Sequence, residues 1–121
     1  MATIELNEEN FESTVTGNDI VIVDFWAPWC GPCKSFAPIY EAVSEKYPNI
    51  VFAKINTEVE QGIAGHFQIR SIPTLMIFRE QIVIFSEAGM LPASALEELV
   101  TQVTALDMEK IKADIAATSN V

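Results

Sequence analysis

Five short segments of the chain show the apolar pattern of β-strands. Residues 20–26 are almost entirely β-branched or aromatic, which indicates a strand buried on both faces, as in a parallel sheet. Residues 50–55 form a second buried strand, and residues 3–6 form a short edge strand. Residues 74–78 and 82–85 are separated by so short a gap that they can pair only as an antiparallel hairpin.

Between these strands, apolar residues recur at the spacing of α-helices. The spacing is clear over residues 34–47 and from about residue 92 onwards. Weaker patterns predict helices over residues 7–16, with Asn7 as the N-cap, and over residues 58–67. Strands that alternate with helices and end in a hairpin and a further helix are typical of an α/β fold with a mixed sheet.

The apolar stripe of the last helix changes phase beyond Leu106, by about 140° around a continuous helix. Three residues form the new stripe: Met108, Ile111 and Ile115. One straight helix cannot bury both stripes against one core. Either the chain bends near residues 104–107 and a short extra helix packs onto the fold, or the second stripe contacts another molecule. We therefore divide the chain into a domain of residues 1–106 and a C-terminal helical extension or tail, residues 107–121.

Composition and charge exclude several classes of protein. The chain has 121 residues, half of them apolar, which fits one folded domain rather than a disordered segment. Its net charge of −10 argues against nucleic acid and anionic membranes as partners. The N-terminus lacks a secretory signal and no run is long enough to span a membrane. We expect a soluble, cytoplasmic monomer, with residues 107–121 as the one candidate contact with a partner.

The only two cysteines, Cys30 and Cys33, carry the candidate chemistry. A bond between them would close too short a loop to stabilise the fold, so it would serve chemistry. Cys30 lies where a buried strand passes into a helix, and Pro32 suits the first helical turn. Unpaired backbone N–H groups and the helix dipole favour a thiolate there, and the thiolate is the attacking species in disulfide exchange. Cys33 lies on the same helix face, within reach of a disulfide.

Two other interpretations of the cysteine pair remain open. The pair is half of a zinc site, which would need ligands from a second chain because His66 is the only histidine. Alternatively, both cysteines are small buried apolar residues. The strand before the pair and the helix after it favour redox chemistry, and we expect no metal site. We expect His66 to be a surface residue without a role.

The segment around the cysteines resembles the active-site signature of the thioredoxin family. Residues 26–34 read Trp-Ala-Pro-Trp-Cys-Gly-Pro-Cys-Lys, which matches that signature nearly letter for letter. The resemblance extends over about residues 3–106. It includes seven further positions: Asp24, Pro38, Lys54, Ile72, Pro73, Thr74 and Gly89. It implies an α/β thioredoxin fold, with a mixed five-stranded sheet flanked by four helices, to which this chain adds its C-terminal helical extension.

The resemblance also implies an activity, the reduction of disulfides in other proteins. Cys30 would be the exposed nucleophile and Cys33 the more buried resolving thiol. Six residues would form the substrate-binding surface: Trp29, Gly31, Pro32, Ile72, Pro73 and Gly89. A cis bond before Pro73 would turn the backbone towards the substrate, which could then pair as an extra strand. No bound cofactor is implied. The redox-active disulfide would be recharged with electrons from NADPH by a thioredoxin reductase, and the other partners would be disulfide-containing proteins.

Asp24 is unusual even without the resemblance, because it is a carboxylate within an apolar strand. A buried charge is costly unless it is paired or neutralised. One interpretation is an aspartate at a strand end, satisfied by backbone donors. The functional interpretation is a proton acceptor that helps to deprotonate Cys33, through water. Lys54 in the neighbouring strand is the expected charge partner of Asp24, and its alternative is a solvated lysine at a strand edge.

Three residues at two sites depart from the family pattern. The hairpin carries Glu80 and Gln81 where the family usually has Asn-Gly or a similar pair. A tight primed turn would place both at positive φ, so we expect a different turn type or a local distortion. Met90 follows Gly89 where small residues are common, and it would add a flexible apolar contact if it faces the groove.

Two other functions compete with a disulfide reductase. One is a binding module, a thioredoxin-fold or chaperone-like subunit dedicated to one partner, for which the C-terminal extension is the only support in the sequence. The other is an oxidant that donates its disulfide. The absence of a secretory signal argues against an oxidant. The Gly-Pro dipeptide between the cysteines resembles that of the reducing members of the family, which also argues against an oxidant.

Overall fold

The computed structural model describes residues 2–119 and contains one mixed β-sheet. Its strands are β1 (Thr3–Glu5), β2 (Ile20–Trp26), β3 (Val51–Asn56), β4 (Thr74–Arg79) and β5 (Ile82–Ala88). They are ordered β1-β3-β2-β4-β5, so that β2 is central and β1 and β5 are the edges. The β1–β3 and β2–β3 pairs are parallel, whereas the β2–β4 and β4–β5 pairs are antiparallel. The predicted edge strand, buried strands and hairpin are confirmed.

Within residues 2–119, five helices accompany the sheet. They are α1 (Phe11–Thr16), α2 (Gly31–Lys46), α3 (Gln61–His66), α4 (Ala93–Thr104) and α5 (Met108–Ser119). The predicted fold of a five-stranded mixed sheet with four helices and a C-terminal helical extension is confirmed. Among residues 2–119, no helix has both the length and the apolar character required to cross a membrane.

The start of the first helix differs from the prediction. We expected Asn7 to cap it, but α1 begins after Asn10. The side chain of Asn7 instead accepts the N–H groups of Glu9 and Asn10, each at 2.9 Å, within a preceding turn. An asparagine side chain can satisfy a turn as well as a helix N-terminus, so the sequence did not distinguish the two.

The central strand β2 is covered on both faces, as its apolar sequence predicted. Ile20 and Ile22 belong to a core formed with α2 and α4. The alternate residues Val21, Val23 and Phe25 belong to a second core with α1 and α3. Asp24 follows Ile22 on the α2 face because side chains alternate along a strand. The carboxylate therefore lies on the face of the sheet that α2 covers.

The β4–β5 turn is the primed type that we expected the sequence to avoid. Glu80 has a φ of 50° and Gln81 a φ of 70°, so the predicted change of turn type is wrong. The predicted local distortion is present as a register shift between Ile77 and Phe78. Positive φ costs about 1–2 kcal/mol at a non-glycine residue. Two contacts hold Glu80 in place: its N–H donates to the Asp19 carbonyl at 2.8 Å, and its carboxylate pairs with the Lys112 ammonium of α5.

The chain bends between α4 and α5, as the phase change predicted. Arg79 holds this bend, because its Nη1 donates to the carbonyl oxygens of Val103, Thr104 and Leu106 at 2.8, 3.2 and 2.9 Å. Met108, in the first turn of α5, is 5% exposed and so packs onto the fold. Most residues further along α5 are exposed. A contact of residues 107–121 with another molecule stays a prediction.

Candidate active site

The two cysteines lie at the junction of β2 and α2. Cys30 is the N-cap of α2 in an extended conformation, and Pro32 occupies the first helical turn. The Sγ of Cys30 accepts the backbone N–H of Cys33 at 3.2 Å. The two residues form a disulfide, with their Cα atoms 5.2 Å apart. The helix therefore begins three residues earlier than its apolar spacing suggested, because a cysteine side chain supplies the cap.

Burial does not distinguish the two cysteines in this disulfide form. Cys30 is 4% exposed and Cys33 is 3% exposed. The expectation that Cys30 is the exposed member is wrong for this state, because both sulfur atoms pack with Ala27 against Trp26 and Ile72. Position distinguishes them instead. Cys30 caps the helix and its Sγ lies 3.7 Å from the carbonyl oxygen of Ile72, whereas Cys33 lies inside the first turn.

The remaining predicted binding residues surround Cys30. The Ile72–Pro73 bond is cis, as the family resemblance implied. The N–H of Gly89 donates to the Pro73 carbonyl at 2.8 Å, and Gly89 has a φ of 104°, a conformation that favours glycine. Trp29, next to Cys30, is 65% exposed, and its indole N–H donates to the Glu58 carboxylate. The structure therefore brings these groups together beside the disulfide.

Gly31, Pro32 and Met90 are further exposed residues that the sequence singled out. Gly31 and Pro32 form the exposed start of α2. Met90 is 41% exposed and follows Gly89 directly. Its exposure agrees with a surface contact residue rather than with a core residue.

Asp24 is a buried carboxylate in the middle of β2. It is 1% exposed, and neither of its oxygens has a hydrogen-bond partner among residues 2–119. The interpretation of a strand-end aspartate satisfied by backbone donors is therefore wrong. Burial raises its pKa from the ordinary value of 3.8 to about 7, while the charge of Lys54 lowers it and that of Glu5 raises it. Such a group exchanges its proton near neutral pH.

Trp26 lies near both Asp24 and Cys33. Asp24 and Trp26 are two residues apart in β2, so they share a face of the sheet. Trp26 packs against the cluster that contains Cys33. The carboxylate thus lies two residues before Trp26, on the same face of the sheet.

Lys54 lies directly beside Asp24 in the sheet. The two are register partners in the β2–β3 pair, and Lys54 is partly buried. Its Nζ lies 4.7 Å from the centroid of the Trp26 ring, a cation–π contact. Within residues 2–119, Lys54 makes no ion pair shorter than 4.0 Å. It acts on Asp24 through its charge rather than through a direct salt bridge.

Comparison with known proteins establishes the family. The model of the family described as "Thioredoxin" matches residues 2–102. The chain belongs to the thioredoxin family. A "Putative thioredoxin 2" from Streptomyces coelicolor is 49% identical over 115 residues, covering 95% of this chain and 86% of that protein. A thioredoxin from Bacillus subtilis is 37% identical over 103 residues, covering 84% of this chain and 98% of that protein.

Solved structures of thioredoxins match the fold. A thioredoxin of Plasmodium falciparum has a TM-score of 0.76 and 34% identity, covering 83% of this chain and 97% of that one. A mutant thioredoxin of Halobacterium salinarum has a TM-score of 0.79 and 28% identity, covering 86% of this chain and 92% of that one. The match to the Streptomyces protein spans 115 residues, which is longer than the domain of residues 1–106. It therefore includes part of the C-terminal extension.

Membership of the thioredoxin family and the cysteine geometry together establish the activity. Two thiols at disulfide distance on one helix turn form and break a disulfide in place. The protein is a protein-disulfide oxidoreductase that works by dithiol–disulfide exchange. Within residues 2–119, no group of three or more His, Cys, Asp or Glu residues is arranged to hold a metal ion.

The sequence analysis missed two acidic residues beside the thioredoxin site. Glu58 accepts the indole N–H of Trp29, and Glu5 lies across β3 from Asp24. Glu5 carried a weak signal, as a charged residue in a predicted edge strand. Glu58 carried none, because its contact joins segments that are far apart in the chain.

Proposed function

We propose that this protein reduces disulfides in other proteins in the cytoplasm, as a monomer, and that thioredoxin reductase recharges it with electrons from NADPH. The observation that carries the proposal is the Cys30–Cys33 disulfide at the start of α2, beside the cis bond before Pro73. A cytoplasmic location fits, because that compartment keeps thiols reduced.

The first step is attack by Cys30 on the substrate disulfide. The helix N-terminus and the Cys33 N–H, which reaches its Sγ at 3.2 Å, both favour the thiolate of Cys30. The thiolate bonds to one substrate sulfur, and the substrate S–S bond breaks. One substrate sulfur leaves as a thiolate and takes up a proton, and the other stays bound to Cys30 as a mixed disulfide.

The second step is attack by Cys33 on the Sγ of Cys30. Cys33 must first lose its thiol proton, and Asp24 takes it up, through water. The S–S bond of the mixed disulfide breaks, and the second substrate sulfur leaves as a thiolate that takes up a proton. Two electrons have then passed from the protein to the substrate, and Cys30 and Cys33 are joined again. The charge of Lys54 keeps Asp24 able to ionise by opposing the effect of its burial.

The groove beside Cys30 is the proposed substrate site. Trp29 is exposed and Ile72 is partly exposed, so both offer apolar surface, whereas Pro73 is buried and acts through its cis bond, beside which the backbone of Ile72 lies next to Cys30. Gly89 keeps the far side of the groove free of a side chain. An extended substrate segment can pair with this backbone irrespective of its sequence, which suits a reductase with many protein substrates.

A coupled assay tests the proposed source of electrons. Insulin, NADPH and a thioredoxin reductase from Streptomyces coelicolor or Bacillus subtilis are mixed with the protein, and NADPH consumption is followed by absorbance. We expect consumption that requires protein, reductase and insulin together, and none with the Cys30→Ser variant. Reduction of insulin by dithiothreitol with no consumption of NADPH by either reductase would contradict the proposed recharging, while leaving the exchange chemistry intact.

A further inference from the structure

One row of residues crosses the whole sheet at the level of Asp24. From edge to edge, the register partners are Glu5 in β1, Lys54 in β3, Asp24 in β2, Leu75 in β4 and Glu87 in β5. Partners in register point to the same face of a sheet. This face is the one that α2 covers, since Leu75 belongs to the core formed with α2 and α4.

Lys54 occupies the strand between the two acidic residues Glu5 and Asp24. Its ammonium lies over the Trp26 ring at 4.7 Å. Within residues 2–119 it forms no ion pair shorter than 4.0 Å with either carboxylate. The charge of Lys54 nevertheless lowers the pKa of both Glu5 and Asp24, so one cation acts on the carboxylates on its two sides.

The other ionisable groups that face Asp24 do not supply the positive charge that Lys54 supplies. The Tyr40 hydroxyl of α2 donates to the carbonyl oxygens of Ile22 and Ala53 at 3.0 and 2.8 Å. Burial and the charge of Asp24 hold the pKa of Tyr40 well above its ordinary value, so it stays neutral. Cys33 does not titrate while it is in the disulfide. Glu87 lies at the far edge of the row and is exposed, with Leu75 rather than a cation between it and Asp24.

We propose that Glu5 is a positioning residue, which shares Lys54 with Asp24 and so sets how tightly Asp24 holds its proton. The proposal rests on the proposed function of Asp24 as the proton acceptor for Cys33. An ionised Glu5 draws the ammonium away from Asp24 and adds a like charge to the row. Both effects favour the protonated carboxyl of Asp24. The same two charges act on the pKa of Asp24 after burial: Lys54 lowers it, and Glu5 raises it.

The test is the pKa of Asp24 in the Glu5→Gln variant. Carboxyl-carbon NMR of the full-length, oxidised protein follows Asp24 as the pH is changed. We expect the pKa to fall by about half a unit, because the ammonium of Lys54 is then no longer attracted by Glu5 and acts more strongly on Asp24. Glu87→Gln is the matched control, because it lies the same number of strands from Asp24 on the opposite side. We expect it to shift the pKa by less than about a third as much.

A double variant tests whether Lys54 carries the effect. We expect Lys54→Met alone to raise the pKa of Asp24, and Glu5→Gln to have a smaller effect in the Lys54→Met background than in the wild type. Equal shifts from Glu5→Gln and Glu87→Gln would overturn the proposal. So would a Glu5→Gln shift of the same size with and without Lys54.

The pH profile of insulin reduction separates this proposal from the proposed function. If Asp24 is the proton acceptor, the acidic limb of the profile moves to lower pH in Glu5→Gln by the same amount as the pKa of Asp24. A pKa that moves while the profile stays fixed would overturn the role of Asp24, and would leave its coupling to Glu5 established.

Discussion

Replacing Cys33 by serine is expected to leave the protein covalently joined to its substrate. Cys30 remains at the start of α2, so attack on a substrate disulfide proceeds. The resolving thiol is lost, so the mixed disulfide persists and turnover falls to zero. Incubation of reduced Cys33→Ser with insulin, followed by mass spectrometry without reductant, should show a one-to-one adduct at Cys30.

The matched control is Cys30→Ser, which keeps Cys33 as the only thiol. Cys33 is 3% exposed and lies inside the first turn of α2 rather than at its cap. We expect this variant to form no adduct on the same timescale. Adducts at equal rates in the two variants would contradict the assignment of Cys30 as the nucleophile.

Replacing Asp24 by asparagine is expected to change the pH dependence of stability. The folded-state pKa of Asp24 is raised from 3.8 to about 7. The folded state therefore holds this proton more tightly than the unfolded state. The proton contributes up to about 4 kcal/mol to the free energy of unfolding, and this contribution is complete below about pH 4 and is lost as the pH rises towards 7. Asp24→Asn removes this loss, so the variant should gain stability relative to wild type between about pH 4 and pH 8.

Urea unfolding at several pH values measures this change, with Asp114→Asn as the control. Asp114 is exposed on α5, so its substitution should leave the pH dependence unchanged. The same Asp24→Asn variant should reduce insulin about tenfold more slowly near neutral pH, because Cys33 loses its proton acceptor. If the difference in unfolding free energy between Asp24→Asn and wild type were the same at every pH, Asp24 would be ionised with an ordinary pKa.

The fold and the centre of the site could be predicted because their signals are local in the sequence. The run of apolar residues at 20–26 identified the buried strand β2, and the spacing of Cys30 and Cys33 identified the redox pair. Asp24 was found because a carboxylate interrupts an apolar strand. The phase change beyond Leu106 follows from helix geometry alone and left two alternatives, a bend or a contact with another molecule, of which the bend is present.

The features that could not be predicted depend on contacts between distant segments. The hairpin turn adopts positive φ at Glu80 and Gln81 because Asp19 and Lys112, far away in the sequence, hold Glu80. Glu5 gains its importance from strand register, which places it beside Lys54. Register is set by the packing of the whole sheet, so the sequence of β1 alone does not contain it.

The burial of Cys30 is another feature that the sequence did not predict. Its position where a buried strand passes into a helix was predicted and is confirmed, and the structure adds that it is the N-cap. Its exposure was not predicted correctly, because it depends on how Ile72 and Trp26 close around the disulfide. The nucleophile is therefore identified by its place at the helix N-terminus rather than by its accessible surface in the oxidised state.

Insulin reduction under limiting dithiothreitol, with wild type compared with Cys30→Ser, tests whether the protein reduces disulfides through Cys30. We expect rapid precipitation of the reduced insulin with wild type, and a rate no faster than that of dithiothreitol alone with Cys30→Ser. A wild-type rate equal to that of dithiothreitol alone would contradict a general protein-disulfide reductase. Equal acceleration by both proteins would contradict Cys30 as its nucleophile.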